Sequence, residues 1–127
     1  MKVAHVALWT RDLEAAANFW REYFGAAIGQ EYRSARRPGF ISRFISLPGA
    51  ETPMELMTAP WLEDAARADR VGWDHIAISL GSAQAVNDMA ARCQRAGLLL
   101  SAPRTTGDGF YEAVIAMPDG TPIEITS

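Results

Sequence analysis

Apolar residues recur along this chain at two different spacings. The segments RDLEAAANFWREYFG and SAQAVNDMAARCQRAG have the i, i+3, i+4 apolar spacing of amphipathic helices. Asp12 and Ser82 stand where N-caps are expected, and Gly25 and Gly97 stand where the helices should end. The predicted buried stripes are Leu13, Ala16, Ala17, Trp20 and Phe24 in the first helix and Ala85, Val86, Met89, Ala90 and Cys93 in the second. Shorter stretches elsewhere alternate apolar and polar residues, which indicates strands.

The order of these elements repeats along the chain. Each helix follows a short apolar stretch that begins with histidine, HVAL at His5 and HIAIS at His75, and precedes three strand-like segments. These segments cover residues 27–34, 40–47, 53–58, 98–105, 110–117 and 121–126. The 127 residues are therefore predicted to form one α+β domain of two tandem β-α-β-β-β modules. Module one covers about 1–59 and module two about 73–127, and residues 60–72 join them with room for a helical turn.

Side chains alternate between the two faces of a strand, so parity predicts which residues share a surface. Within each of the first and last strands of the two modules, the apolar residues fall on one face: Val6, Leu8, Met54, Leu56, Ile76, Ile78, Leu80, Ile123 and Ile125. The opposite face of these strands carries His5 and Glu55 in module one, and His75 and Glu124 in module two. The apolar face is expected to lie under the helices. The opposite face is expected to present both histidines of the chain together with two glutamates.

These four residues are a candidate metal-binding set, provided that the two sheets curl together. Two neutral imidazoles and two carboxylates neutralise a divalent cation, which lowers the cost of burying either charge alone. Mixed nitrogen and oxygen donors suit one ion of Ni, Zn, Co, Mn or Fe(II). Four protein ligands leave two octahedral positions for a substrate bound through adjacent oxygens, a geometry that favours Lewis-acid chemistry. The alternative is that the histidines are structural and the glutamates solvated.

Composition narrows the possible partners. A formal charge of −3 gives no electrostatic support for binding nucleic acid or an anionic membrane. No apolar run approaches the ~20 residues of a membrane-spanning helix, and MKVAHVALWTRDLE is too polar for a secretory signal. Cys93 is the one cysteine, so an intrachain disulfide cannot form, and it is interpreted as a packing residue in a cytoplasmic protein.

The motifs HVAL, MELM, HIAIS and PDGTPIEIT, with an aromatic-rich helix ending in FG, resemble the vicinal oxygen chelate superfamily. This superfamily includes glyoxalase I, bleomycin- and fosfomycin-resistance proteins and extradiol dioxygenases. The resemblance covers essentially the whole chain and implies a U-shaped, partly open mixed sheet around a metal, usually in a homodimer. The ligands implied are His5, Glu55, His75 and Glu124, and this quartet is most similar to that of glyoxalase I.

Two positions depart from glyoxalase I. That enzyme has an arginine where this chain has Trp9 and an asparagine where it has Ala59, so glutathione dependence is not expected. The leading hypothesis is a metal-dependent lyase or isomerase acting on a small substrate through an enediolate-type intermediate. Either Glu124 or Glu55 is the base. The alternatives are a small-molecule binding or resistance protein, and an Fe(II) extradiol-type dioxygenase that the fourth ligand disfavours. The quartet can belong to one chain or be shared across a dimer.

Parity also identifies candidate substrate contacts. Trp9, Met57 and Trp73 fall on the histidine face, where two tryptophans would form an apolar wall for a flat substrate. Packing in a dimer interface is an equal alternative. Ser79 and Thr126 are also predicted to lie on the histidine face of their strands.

Charged residues near two turns are further candidates. Arg104, Tyr111 and Glu112 flank the turn Gly107-Asp108-Gly109, and Arg104 can bind a substrate carboxylate or phosphate bidentately. The alternative is a surface hairpin with solvated charges. The basic run in YRSARRPGF, Arg33, Arg36 and Arg37, indicates either a mobile loop near an anionic ligand or a solvated surface.

Overall fold

The computed structural model describes residues 1–63, 72–107 and 109–127. These residues form two tandem β-α-β-β-β modules, which confirms the predicted α+β fold class. The elements are β1 (Val6–Trp9), α1 (Leu13–Phe24), β2 (Ala27–Arg33), β3 (Ile41–Ser46), β4 (Met54–Thr58), β5 (Ala77–Ser79), α2 (Ala83–Arg95), β6 (Leu99–Thr105), β7 (Tyr111–Ala116) and β8 (Pro122–Thr126). The joining segment, where a helical turn is predicted, lies largely outside the described residues. Asp108 of the predicted glycine turn also lies outside them.

The chain divides into two compact units, Met1–Ala65 and Ala66–Ser127. The sheet of the first unit has the strand order β1-β4-β3-β2, with β1 and β4 parallel and the other pairs antiparallel. The sheet of the second unit has the equivalent order β5-β8-β7-β6, again with one parallel pair, β5 and β8. Each sheet therefore places the first strand of its module directly beside the last.

Both helices begin and end where the sequence predicts. The Asp12 carboxylate accepts a hydrogen bond from the Ala15 N–H at 2.9 Å, and the Ser82 hydroxyl accepts one from the Ala85 N–H at 3.2 Å. Gly25, at φ +66°, ends α1 in the left-handed conformation that glycine adopts without steric cost. The buried helix residues are Leu13, Ala16, Ala17, Phe19 and Trp20 in α1 and Val86, Ala90 and Cys93 in α2.

The predicted apolar faces are buried to different depths. Met54 and Leu56 in β4, and Ile123 and Ile125 in β8, are fully enclosed. The apolar residues of β1 and β5, such as Leu8, are only half-buried. The reason is topological, because β4 and β8 have neighbours on both sides whereas β1 and β5 are edge strands. Among the described residues, no helix is both long enough and apolar enough to cross a membrane.

Candidate functional site

In the first unit, one histidine and one glutamate face each other. The register of the parallel β1–β4 pair sets Glu55 opposite Ala7, two residues after His5. His5 precedes the first residue of β1, yet its Nε2 lies 4.0 Å from Glu55 Oε2. The edge of the His5 ring meets the Phe44 ring at a centroid distance of 5.5 Å, and Phe44 pairs with Glu55 across β3 and β4. The strand register therefore brings His5 and Glu55 together as predicted from parity.

The second unit repeats this arrangement. Glu124 lies opposite Ala77, two residues after His75, and His75 Nε2 is 3.3 Å from Glu124 Oε2. On its other side, His75 Nδ1 donates a hydrogen bond to the Asp74 carboxylate at 2.6 Å. With a proton on Nδ1, the neutral ring presents the Nε2 lone pair toward Glu124. The hydrogen bond to Asp74 is also the main reason that the pKa of His75 is raised.

The distances within each pair fit a shared cation. Bonds of about 2.1 Å to one ion separate adjacent nitrogen and oxygen ligands by about 3.0–3.4 Å. The His75–Glu124 separation of 3.3 Å falls in this range, and the His5–Glu55 separation of 4.0 Å lies just beyond it. Within the described ranges, no single group of three or more His, Cys, Asp or Glu side chains is arranged to hold a metal. Each unit by itself thus supplies two donors.

Glu112 is a charged residue of this face that the parity argument missed. It is only 8% exposed, and its β7 position opposite Thr126 puts it on the same face as Glu124. Burial, followed by the negative charge of Glu112, raises the pKa of Glu124. The sequence associated Glu112 only with the neighbouring turn. The alternation of YEAVIA carried the missing signal, because Glu112 has the parity opposite to the buried Ala113 and Ile115.

The structure places Arg104 and Tyr111 on different surfaces. The Arg104 guanidinium donates hydrogen bonds to Glu112 Oε1 at 3.0 Å and to the Ser101 hydroxyl at 2.6 Å. The Tyr111 hydroxyl donates to Asn87 Oδ1 of α2 at 2.7 Å, so this side chain lies on the helix side of the sheet. Arg104 therefore belongs to the Glu124 face, whereas Tyr111 faces away from it.

The predicted apolar contacts also differ from one another. Trp9 and Met57 are direct partners in the β1–β4 register and lie on the same face as Glu55. Trp9 is partly exposed, and its ring edge meets Phe40 at a centroid distance of 5.9 Å. Trp73 is 101% exposed, at the start of the segment that leads to His75. Trp9 and Met57 thus form a continuous surface, and Trp73 is fully open to solvent.

Comparison with known proteins agrees with this arrangement of elements. The family model of the Glyoxalase/Bleomycin resistance protein/Dioxygenase superfamily matches residues 2–125. An uncharacterized protein of Pseudomonas aeruginosa is 31% identical over 104 residues, which is 80% of this chain and 70% of that protein.

Solved structures are similar in fold over the whole chain. A glyoxylase/bleomycin resistance protein/dioxygenase domain from Frankia sp. EAN1pec has a TM-score of 0.83 at 20% identity, covering 99% of this chain and 96% of that one. The trypanothione-dependent glyoxalase I of Leishmania major has a TM-score of 0.74 at 18% identity, covering 100% of this chain and 86% of that one. At these identities the similarity concerns the fold alone.

Proposed function

The chain belongs to the Glyoxalase/Bleomycin resistance protein/Dioxygenase superfamily, and we propose that it is a metal-dependent lyase or isomerase. Its substrate would be a small molecule that binds through two adjacent oxygen atoms. The observation that carries the proposal is the repeated histidine–glutamate pair. In each unit the imidazole Nε2 and a carboxylate oxygen face each other, at 4.0 and 3.3 Å, from equivalent positions of equivalent strands.

We propose that His5, Glu55, His75 and Glu124 bind one divalent ion, within one chain or across a homodimer. Two carboxylates balance the charge of the ion, and two neutral imidazoles complete a donor set suited to Ni, Zn, Co, Mn or Fe(II). The bound ion would supply Lewis-acid polarisation of a substrate carbonyl. The hydrogen bond from His75 to Asp74 supports this role, because it holds the ring with Nε2 toward Glu124.

The two glutamates have different surroundings, which favours Glu124 as the base. Glu55 is the cross-strand partner of Phe44, whereas burial and then the negative charge of Glu112 raise the pKa of Glu124. A carboxylate beside a second carboxylate holds a proton more readily, because a like charge disfavours its ionised form. In the proposed reaction Glu124 takes the proton from the carbon next to the substrate carbonyl, and Arg104 keeps Glu112 in place through their ion pair.

Trp9 and Met57 are the proposed apolar contacts of the substrate, and the exposed Trp73 is a further candidate. Arg104 is assigned to positioning rather than to binding a substrate anion, because Glu112 already occupies its guanidinium. Tyr111 is not among the proposed substrate contacts, because its hydroxyl donates a hydrogen bond to Asn87 of α2. We also propose that the protein is a homodimer. A cytoplasmic location is proposed in keeping with a single buried cysteine, Cys93, that has no disulfide partner.

The second candidate function is a binding or resistance protein that sequesters a small molecule without chemistry. The observation that favours it is the lack, within the described residues, of any one group of three metal-binding side chains. An Fe(II) dioxygenase is the third candidate, and the fourth proposed ligand argues against it.

Elemental analysis of the purified protein tests the leading proposal. We expect one divalent transition metal per proposed site, and a loss of occupancy in His5→Ala, Glu55→Ala, His75→Ala and Glu124→Ala, whereas the exposed-residue control Glu51→Ala keeps the metal. Full occupancy in His5→Ala or His75→Ala would contradict the quartet. A metal-free wild type that still binds small molecules would favour the sequestering function, and iron with oxygen uptake would favour the dioxygenase. With methylglyoxal and glutathione we expect little or no activity.

A further inference from the structure

The first unit carries an exposed aromatic cluster formed by Trp9, Tyr32, Phe40 and Trp61 around Arg37. Phe40 is its centre, with ring centroid distances of 5.9 Å to Trp9 and 6.5 Å to Tyr32. The Arg37 guanidinium lies over the Phe40 ring at 5.5 Å and over the Trp61 ring at 4.9 Å. Trp9, Tyr32 and Trp61 are exposed, at 39, 58 and 44% of their surface. An aromatic surface of this kind in contact with solvent is typical of a binding site.

The strand register explains why the aromatic residues form one surface. Trp9 pairs with Met57, Met57 pairs with Ser42, and Ser42 pairs with Tyr32. These four residues therefore make a single row across all four strands, on one face of the sheet. Phe40 lies two residues before Ser42, directly before the first residue of β3, and extends the same face in that direction. The row begins on the strand that follows His5 and is continuous with the face that carries Glu55.

The loop between β2 and β3 holds Arg37 in a defined position. The Ser34 N–H donates to the Phe40 carbonyl at 3.1 Å, and the Phe40 N–H donates to the Arg37 carbonyl at 2.9 Å. The Arg37 N–H donates to the Ser34 hydroxyl at 3.0 Å. At Gly39, with φ +91°, a Cβ would approach the Pro60 ring to 2.8 Å, so the loop packs directly onto the residue before Trp61. The cationic side chain is thus pre-positioned between two aromatic rings.

The Arg37 guanidinium retains hydrogen-bonding capacity. The contacts with Phe40 and Trp61 place the guanidinium carbon over the two rings, and a cation–π contact does not use up the five N–H donors of the guanidinium. Within the described residues no carboxylate contacts Arg37, whereas Arg43 of the same sheet is engaged by Glu14. A guanidinium held beside aromatic rings can bind a carboxylate bidentately with favourable geometry.

We propose that this cluster binds a planar aromatic compound that carries a carboxylate. The aromatic ring would lie against Trp9, Tyr32 and Phe40, and the carboxylate would accept hydrogen bonds from Arg37. A second copy of the chain as the occupant is instead an outcome of the test below. This inference rests on the proposed function in one respect, because it takes the bound compound to be the substrate. The aromatic cluster itself does not depend on the second histidine–glutamate pair, since all cluster residues belong to the first unit.

Calorimetric titration with 2-naphthoate, in the presence of EDTA, tests the inference. The comparison ligands are 2-naphthamide, which is planar but neutral, and cyclohexanecarboxylate, which is anionic but not planar. We expect saturable binding of 2-naphthoate that is at least about tenfold tighter than either, because 2-naphthamide lacks the charge-assisted hydrogen bond to Arg37 and cyclohexanecarboxylate lacks a flat ring to pack on the aromatic side chains. Arg37→Gln should weaken 2-naphthoate binding by about tenfold or more. The matched control is Arg36→Gln, a neighbouring exposed arginine outside the aromatic contacts, which should change it less than about threefold.

Four results would overturn the inference. The first two are an equal loss of 2-naphthoate affinity in Arg37→Gln and Arg36→Gln, and binding of cyclohexanecarboxylate as tight as that of 2-naphthoate. The third is the lack of saturable binding at millimolar 2-naphthoate. The fourth is a smaller oligomer for Arg37→Gln than for the wild type in light scattering. The last result would assign the cluster to contact between copies. The metal proposal is tested separately, because 2-naphthoate binding should persist in His75→Ala. A wild-type protein that binds 2-naphthoate but is purified, without EDTA, with no transition metal would overturn the proposed enzyme and leave the aromatic site intact.

Discussion

At the residue scale, each histidine faces a glutamate because side chains two residues apart on a strand lie on the same face. The ladder register then brings residues that are distant in sequence, such as His5 and Glu55, into contact. Glu112 was missed because the sequence associated it with the neighbouring turn, although the alternation of β7 puts it on the face of Glu124, where it is buried and paired with Arg104. The sequence indicated Arg37 only as part of a basic run, since its stacking between Phe40 and Trp61 depends on the loop geometry.

Asp74 is predicted to control the protonation of His75. Its carboxylate accepts the Nδ1–H bond and raises the pKa of the imidazole. Asp74→Asn should therefore lower the pKa of His75, measured from the pH dependence of the imidazole proton shifts in NMR spectra of the metal-free protein. The raised pKa adds a small stabilisation that is present at acidic pH and is lost as pH rises through the folded-state value, so the variant should lose stability on the acidic side.

The control for this titration is Glu51→Gln, which removes an exposed carboxylate of the first unit. This change should leave the His75 titration unaltered. An unchanged midpoint in Asp74→Asn would mean that the Asp74 contact does not persist in solution, and the proposed orientation of Nε2 toward Glu124 would lose its support.

At the element scale, helix boundaries were predicted accurately because capping is local chemistry. Asp12, Ser82 and Gly25 each act within about one turn of the helix end. The unequal burial of the strands could not be predicted in this way. Leu8 and Leu56 occupy similar alternating patterns, yet Leu56 is enclosed and Leu8 is half-buried, because only the sheet order decides which strand lies at an edge.

The N-cap of α1 gives a prediction at this scale. Asp12→Ala should lower the free energy of unfolding by about 1 kcal/mol, because the Ala15 N–H loses its side-chain acceptor. Asp12→Asn is the matched control, since its amide oxygen can still accept that bond and should preserve most of the stability. Urea unfolding followed by circular dichroism measures both. Equal losses in the two variants would indicate that the charge of Asp12 at the helix N-terminus matters more than the capping bond.

At the scale of the whole molecule, the two modules have kept their register while their surfaces have diverged. The residue opposite Glu55 is Phe44, and the residue opposite Glu124 is Val114. One pair further along, Ser42 with Met57 corresponds to Glu112 with Thr126, and on the neighbouring strand Tyr32 corresponds to Arg104. The first module thus presents an aromatic surface beside its histidine–glutamate pair, and the second presents a charged one. This asymmetry distinguishes two glutamates that the repeat alone makes equivalent.

Whether the two pairs act on one ion is a property of the whole molecule, because each register fixes distances only within its own sheet. Metal-induced thermal stabilisation can separate the possibilities, since a ligand at 100 times its Kd stabilises the folded state by about 2.7 kcal/mol. For a single shared ion, either His5→Ala or His75→Ala should abolish most of the rise in Tm produced by NiCl₂ or ZnCl₂. The double variant should then show no further loss. Two independent ions would instead give partial losses that add in the double variant, with two metals per chain, and that result would replace the four-ligand centre with two separate two-ligand sites.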